Sequence, residues 1–198
     1  MRIAIFGITG NVGSRIAREA RSRGHEVMEI TRAAANVTDP ESVAAAVRDA
    51  DAVVSAVGSG SFDRSPFLKD AVQALIAGLK KAGVKRLLFV GGAGSLEVAP
   101  GLQLVDTPAF PNAWKGVALA HRDAWQVFQA GPDLDWTYLA PAAMLEPGER
   151  TGKYRTGADN LVIDENGSSR ISMEDYAVAA LDELEHPKHL RQRMSVGY

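Results

Sequence analysis

Short apolar runs alternate with amphipathic segments along most of the chain. The apolar runs show little alternation between apolar and polar residues, as parallel strands do when both faces of their sheet are covered. These predicted strands lie at residues 2–6, 26–31, 51–57, 86–90 and 135–139, with one more edge strand at 193–196. The amphipathic segments predict helices at about 12–23, 40–48, 65–82, 113–129 and 173–184. The alternation predicts an α/β fold with a Rossmann-like, doubly wound parallel sheet and helices on both faces.

The segment after the second predicted strand is too short for the usual plan of such a sheet. A neighbouring parallel strand needs a crossover of about a dozen residues, whereas residues 33–39 hold little more than a few alanines. Asp39 is a suitable N-cap, and Pro40 suits the first turn of the following helix. We therefore expect the outer strand to be shortened or missing.

Two later segments have weaker patterns. Residues 96–112 contain three prolines and no clear periodicity, which predicts an ordered loop or lid. Residues 152–164 predict short irregular strands, and Ser172 to Asp175 read as a capping box for the last helix.

The first strand runs into a glycine-rich turn that opens a helix. Gly7 suits a tight turn off the strand, Gly10 lets the backbone approach a diphosphate, and Gly13 allows close packing of helix on sheet. The free N–H groups at the start of the helix then point at the phosphates. A tight strand-to-helix turn without a ligand is the alternative, but the position of this motif favours a dinucleotide site.

The residues at the end of the second strand bear on cofactor choice. An acidic residue there binds the ribose 2′-OH of NAD, whereas an arginine favours the 2′-phosphate of NADP. Thr31 stands where the acid would be and Arg32 follows it, which favours NADP(H) over NAD(H). Two alternatives stay open: Arg32 as a solvated loop charge, and Glu29 as the ribose ligand.

Composition narrows the remaining classes of protein. The 198 residues are 46% hydrophobic, which suits one domain over residues 1–198 with small carboxyl-terminal elements on the substrate side. A net charge of -2 argues against a nucleic-acid or membrane binder. The chain has no cysteine, which excludes thiolate metal sites and cysteine nucleophiles, and we expect no metal site. The lack of a membrane-length apolar run, and a first strand lying where a signal peptide would be, predict a cytoplasmic protein.

Small-residue loops follow two further strands at the same edge of the sheet. These are Gly58-Ser59-Gly60-Ser61 and Gly91-Gly92-Ala93-Gly94-Ser95. Such loops place backbone against a ligand or are simply flexible, and the residues leave both readings open. His121 lies in a predicted helix, where a histidine is more often a surface or capping residue than a catalyst.

Several of these segments together resemble a known family. They are Gly7-Ile8-Thr9-Gly10-Asn11-Val12-Gly13, Thr31-Arg32, Asp51-Ala52-Val53-Val54, Val90-Gly91-Gly92-Ala93-Gly94-Ser95 and Trp136-Thr137-Tyr138-Leu139-Ala140-Pro141. Over nearly the whole chain the sequence is similar to atypical short-chain dehydrogenase/reductase proteins, nearest the NmrA-like and flavin reductase (biliverdin reductase B-like) branch. The resemblance implies an NAD(P)-binding Rossmann fold with the substrate over the nicotinamide. The cofactor-binding residues it implies are Gly7, Thr9, Gly10, Asn11, Val12, Gly13, Arg32, Asn36, Val37, Val57, Gly58, Gly91, Gly92, Pro141 and Ala142.

One departure from the family pattern limits the chemistry. The Tyr-x-x-x-Lys pair of most short-chain dehydrogenases is absent, since no lysine stands four residues after Tyr138, Tyr154 or Tyr176. Carbonyl reduction with a tyrosine acid is therefore disfavoured, although Lys115 lies near the family's tyrosine and lysine and is a candidate to reach the cofactor. A reaction that asks little of the protein fits better, namely hydride transfer from NADPH to a flavin or quinone.

The expected acceptor side consists of a few residues. Ser95 is the candidate hydrogen-bond donor to the nicotinamide amide or substrate, and Phe110 and Trp114 are candidate stacking residues, with simple packing as the alternative. We expect a small-molecule partner and a monomer or homodimer.

A protein that binds NADP(H) as an NmrA-like redox sensor, without turnover, is the alternative function. A nucleotide-sugar epimerase is disfavoured because the carboxyl-terminal part is short.

Overall fold

The computed structural model describes residues 1–59 and 63–198. The strands are β1 (Arg2–Phe6), β2 (Glu26–Ile30), β3 (Ala52–Ser55), β4 (Arg86–Val90), β5 (Glu97–Ala99), β6 (Leu102–Gln103), β7 (Asp135–Ala140), β8 (Met144–Glu146), β9 (Arg155–Gly157), β10 (Arg170–Ser172) and β11 (Gln192–Gly197). The helices are α1 (Asn11–Ser22), α2 (Pro40–Val47), α3 (Phe67–Ala82), α4 (Asn112–Gln129) and α5 (Met173–Glu185), with 3₁₀ turns at Ala93–Ser95 and Leu104–Asp106.

A seven-stranded sheet organises the described residues, in the order β2-β1-β3-β4-β7-β11-β9. Every neighbouring pair is parallel except the last, in which β9 runs antiparallel to β11. The doubly wound parallel fold is thus confirmed. Residues 193–196 do form a strand, β11, but the prediction that it lies at the edge of the sheet was wrong, because β9 covers that side of β11. Strand β9 lies within residues 152–164, where short irregular strands are predicted, but its sequence Arg-Thr-Gly has no apolar pattern that would indicate its pairing with β11.

The expected loss of the outer strand is confirmed. Residues 31–39 form turns rather than a strand, closed by hydrogen bonds from Ala35 N to Thr31 O (3.1 Å) and from Asp39 N to Asn36 O (3.1 Å). The Asp39 side chain then caps α2 by accepting from Glu41 N at 3.0 Å. The second strand therefore forms the outer edge of the described sheet, and the space beyond it stays open.

Two apolar layers cover the sheet, one on each face. Alternate residues of a strand enter opposite layers: Phe6 and Phe89 pack with α2, α3 and α4, whereas Ile5 and Leu88 pack with α1 and α5. On the first face Phe89, Trp125, Phe128, Trp136 and Tyr138 form an aromatic cluster with ring centroids 5.0–6.0 Å apart. Burial on both faces explains why the strands lack alternation. That the chain is one domain stays a prediction.

The structure gives the weakly patterned segments more order than predicted. Residues 96–112 contain an antiparallel hairpin of β5 and β6 followed by a 3₁₀ turn. At the last helix, Ser172 Oγ accepts from Asp175 N at 2.9 Å, as a capping box requires. The return bond is not made, because the Asp175 carboxylate instead accepts from Gly152 N (2.7 Å) and Tyr198 Oη (2.8 Å). The last helix is therefore tied to the end of the chain.

Candidate functional site

A cleft of about 680 Å³ opens at the carboxyl ends of β1, β2 and β3. In an open α/β sheet, ligands bind where the strand order reverses. Here the order reverses at β1, because β2 lies on one side of it and β3 on the other. Eight of the predicted cofactor residues line it: Gly7, Thr9, Gly10, Arg32, Asn36, Val37, Val57 and Gly58. Ser59 lines the same cleft, while Gly60 and Ser61 of that predicted loop lie outside the described residues.

Glycine stands at three positions of the opening turn for different physical reasons. Gly7 has a φ of 74°, and an added Cβ would lie 2.4 Å from the Ala56 carbonyl oxygen. A Cβ at Gly13 would lie 2.3 Å from the carbonyl oxygen of Gly7. The fold itself thus requires glycine at these two positions. Gly10 has an ordinary φ of -78° and is exposed, and its added Cβ would meet only Gly7 O, at 3.3 Å. The fold therefore requires glycine less strictly at Gly10 than at Gly7 and Gly13, and the exposed backbone there leaves room for a ligand to approach.

The first turn of α1 is open to an anion. Gly10 provides no side-chain cap, and the first turn contains no acidic residue. Within the described chain, no group accepts from the N–H of Asn11, Val12 or Gly13. Because such N–H groups carry the positive end of the helix dipole, this turn suits a diphosphate.

The exit of β2 presents a cation to the cleft. Arg32 is exposed and makes no ion pair with any residue in the described ranges. The Glu29 carboxylate does not line the cleft and is held by Arg21 of α1. The structure thus favours Arg32 over Glu29 as the group near an adenosine ribose. The Asn36 side chain shapes the next turn, because Oδ1 accepts from Thr38 N at 3.1 Å.

The glycines after β4 are explained by packing. A Cβ on Gly91 would lie 2.2 Å from Tyr138 Cε1, one on Gly92 2.9 Å from His121 Cγ, and one on Gly94 2.7 Å from Ala118 Cβ. The glycines therefore let the exit of β4 lie against α4 and the Tyr138 ring. The sequence did not suggest this packing role. Pro141 and Ala142 are buried at the neighbouring exit of β7.

Ser95 does not face the cleft. It is only 1% exposed, and Arg193 Nη1 donates to both its carbonyl oxygen (3.0 Å) and its Oγ (3.1 Å). The Arg193 guanidinium also lies 4.6 Å from the centre of the Trp125 ring. The placement argues against Ser95 as a donor to the nicotinamide, because its hydroxyl is enclosed with a structural partner.

The remaining acceptor-side candidates lie at the start of α4. Trp114 is 55% exposed, Lys115 is exposed and Phe110 is half-buried, and none of them lines the cleft. The structure therefore does not bring them together with the cofactor-binding turn.

His121 lies in α4 beside the exit of β4 and was not predicted as a site residue. Its ring packs against Gly92, its Nδ1 is buried without a hydrogen-bond partner, and burial lowers its pKa to about 4. His121 is half-buried, so it is neither a fully exposed surface residue nor a helix cap. The helical spacing of α4 could have indicated that His121 faces the protein, because Ala118, Ala124 and Trp125 lie on the same face of the helix and are buried.

Known proteins place the chain in a family. A model of an NAD(P)H-binding family matches residues 7–187. The uncharacterized protein YwnB of Bacillus subtilis (strain 168) is 41% identical, over 99% of this chain and 98% of its own length. A Burkholderia pseudomallei protein of known crystal structure, provisionally named an exported protein, is 51% identical to this chain over 100% of both chains, with a TM-score of 0.94.

A third relative carries a functional name. A Streptococcus pneumoniae TIGR4 protein, provisionally named NADH-flavin reductase, is 33% identical with a TM-score of 0.90, over 100% of this chain and 99% of that one. In residues 1–59 and 63–198 no helix is both long and apolar enough to cross a bilayer. The chain belongs to the NAD(P)H-binding family, as its resemblance to atypical short-chain dehydrogenase/reductase proteins predicted.

Proposed function

We propose that the protein is an NADP(H)-dependent oxidoreductase that passes a hydride from the nicotinamide to a small planar acceptor, a flavin or a quinone. The observation that carries the proposal is the cleft, in which an uncapped helix end and the exposed Arg32 face the same space. The name of the Streptococcus pneumoniae relative supports a flavin as acceptor.

The residues of the cleft fit the cofactor chemically. The N–H groups of Asn11, Val12 and Gly13 would hold the diphosphate beside the bare backbone of Gly10. The Arg32 guanidinium would pair with the 2′-phosphate, and Val37 and Val57 would cover the adenine. When bound, NADPH supplies the hydride, so the chain has only to bind, orient and exclude water.

Three of the four tyrosines of the chain support an acceptor that needs no protein acid. Tyr138 is fully buried, accepts from Gly92 N at 3.2 Å and donates to His121 O at 3.2 Å, and burial raises its pKa well above the usual range. Tyr176 Oη donates to Leu139 O at 2.7 Å, and Tyr154 Oη is held by Asp182. Their hydroxyls serve the fold, so a proton would come from solvent.

The second candidate function is a redox sensor that binds NADP(H) without turnover. Burial of the Ser95 hydroxyl favours the sensor, because the redox side of the site, at the exit of β4 where the nicotinamide would lie, then offers few polar groups for chemistry. Oxidation of NADPH, followed by its absorbance with FMN, FAD, riboflavin and menadione as acceptors, separates the two functions. We expect turnover with at least one acceptor; tight NADPH binding without any turnover would support the sensor instead.

Replacing Arg32 tests the cofactor preference. Arg32→Ala should weaken NADPH binding by about 10- to 100-fold, since a charge-assisted hydrogen bond to a phosphate is lost. NADH binding should change by less than about threefold, because NADH has no 2′-phosphate. The measurement is calorimetric titration with each cofactor.

Arg48→Ala is the matched control, because Arg48 is also exposed and without an ion pair among the described residues but lies outside the cleft. An equal loss for both cofactors in Arg32→Ala would remove the case for NADP(H).

Two coarser properties are proposed with the function. We place the protein in the cytoplasm, and cell fractionation tests this against the exported name of the Burkholderia pseudomallei relative. A monomer or homodimer is proposed as well, and light scattering in solution measures it.

A further inference from the structure

His121 is held firmly at the exit of β4. Its ring lies against Gly92, where an added Cβ would be only 2.9 Å from Cγ. The Tyr138 hydroxyl accepts from Gly92 N and donates to His121 O, so one phenol joins the backbone of α4 to the end of β4. The backbone of His121 is therefore fixed beside the exit of β4, and its imidazole packs on Gly92 there.

The two ring nitrogens of His121 differ in their surroundings. Nδ1 is buried without a partner, whereas Nε2, which has no partner in the described chain either, is reached by solvent. A buried N–H without an acceptor is expensive, which favours the tautomer with its proton on Nε2. Burial also keeps the ring neutral at physiological pH. His121 thus presents one N–H donor toward solvent.

The strand order places this donor on the redox side of the site. Adenosine would lie toward the exit of β2 and the diphosphate at the start of α1, so the nicotinamide must extend past β3 toward β4. Gly92 is the second residue beyond β4, and the His121 ring lies directly on it. Ser95, the other candidate donor at this exit, is enclosed.

We propose that His121 Nε2–H donates a hydrogen bond to a ring carbonyl oxygen of the acceptor and so orients that ring over the nicotinamide. This inference rests on the proposed function and restricts the acceptor to planar rings with a carbonyl conjugated to the reducible centre, as in flavins and quinones. The hydride and its electron pair go from the nicotinamide carbon to the acceptor ring, and the accompanying proton comes from water. A neutral imidazole is too weak an acid to supply it, so His121 acts by orientation.

Acceptors with and without a carbonyl test the assignment. Methylene blue is a planar hydride acceptor that has no carbonyl, whereas riboflavin and menadione both have one. In His121→Phe we expect kcat/KM to fall about tenfold for riboflavin and menadione, as for loss of one hydrogen bond, with methylene blue and NADPH affinity unchanged. His121→Gln, which keeps an N–H near the position of Nε2, should recover most of the loss. The exposed His186 gives the control variant His186→Phe, which should change nothing.

Equal losses for all three acceptors in His121→Phe would overturn the proposal, because they would indicate a structural or cofactor-directed role. A second measurement follows the unaltered protein and needs a variant only to assign its signals. The chain has four histidines, so ¹⁵N-histidine labelling gives few side-chain signals, and comparison with His121→Gln assigns the one of interest. Adding riboflavin to the NADP⁺-saturated protein should shift the His121 Nε2 signal.

This spectrum also separates the two proposals. A shift of the His121 Nε2 signal without turnover of any acceptor would contradict the proposed function but support the hydrogen bond from His121. Turnover of riboflavin without a shift would overturn the role of His121 alone.

Discussion

Gly10→Val should abolish measurable binding of both NADPH and NADH while the folded protein keeps its stability. The new side chain would stand at the start of α1, next to the N–H groups of Asn11 and Val12, so the diphosphate would lose the close backbone approach and with it several hydrogen bonds. We expect a loss of at least about 100-fold in affinity. Calorimetric titration measures binding, and urea unfolding measures stability.

Stability should survive because Gly10 differs from the other glycines of the turn. Its φ of -78° suits any residue, and its added Cβ would meet only the Gly7 carbonyl oxygen, at 3.3 Å. Gly10→Ala should give an intermediate loss of affinity, since it adds one carbon only. Ala45→Val, which adds comparable bulk on the exposed side of α2, should leave binding unchanged. If Gly10→Val binds NADPH normally, the cleft is not the nucleotide site and the proposed function fails with it.

The cofactor half of the site could be predicted because its signals are local in sequence. The turn from Gly7 to Gly13 contains both the strand end and the helix start that would hold a diphosphate in the proposed site. Arg32 follows β2 directly, and the missing outer strand follows from a count of the residues before Asp39. Each of these inferences needs only neighbouring residues and the known handedness and length of a crossover.

The redox half could not be predicted because its residues depend on distant partners. Ser95 follows a glycine cluster and looks available, but Arg193, 98 residues later, encloses it. His121 looks like a surface residue until α4 is packed on Gly92. Strand β9 falls within the irregular strands predicted at residues 152–164, but its polar sequence does not indicate that it pairs with β11. Local chemistry cannot show contacts of this range.

The glycines after β4 make the same point and allow a direct test. If Gly91 were part of a flexible loop, alanine there would be neutral or slightly stabilising, because it restricts the unfolded chain. The packing at Gly91 requires the opposite result, since an added Cβ would lie 2.2 Å from Cε1 of the fully buried Tyr138. Gly91→Ala should therefore lower the free energy of unfolding by about 2–3 kcal/mol, as overpacking of a core does.

A double-mutant cycle with Tyr138→Leu assigns that loss to the one contact. The shorter side chain lacks the ring edge that Gly91→Ala would strike, so the second substitution should cost less than about 1 kcal/mol in this background. Gly58→Ala is the matched control at the same edge of the sheet, because an added Cβ there meets no atom of residues 1–59 and 63–198 within 4 Å. Urea unfolding of the four variants measures the coupling. A Gly91→Ala protein as stable as the original would mean that Tyr138 can move aside, and the position argued for His121 beside Gly92 would then no longer be fixed by this packing.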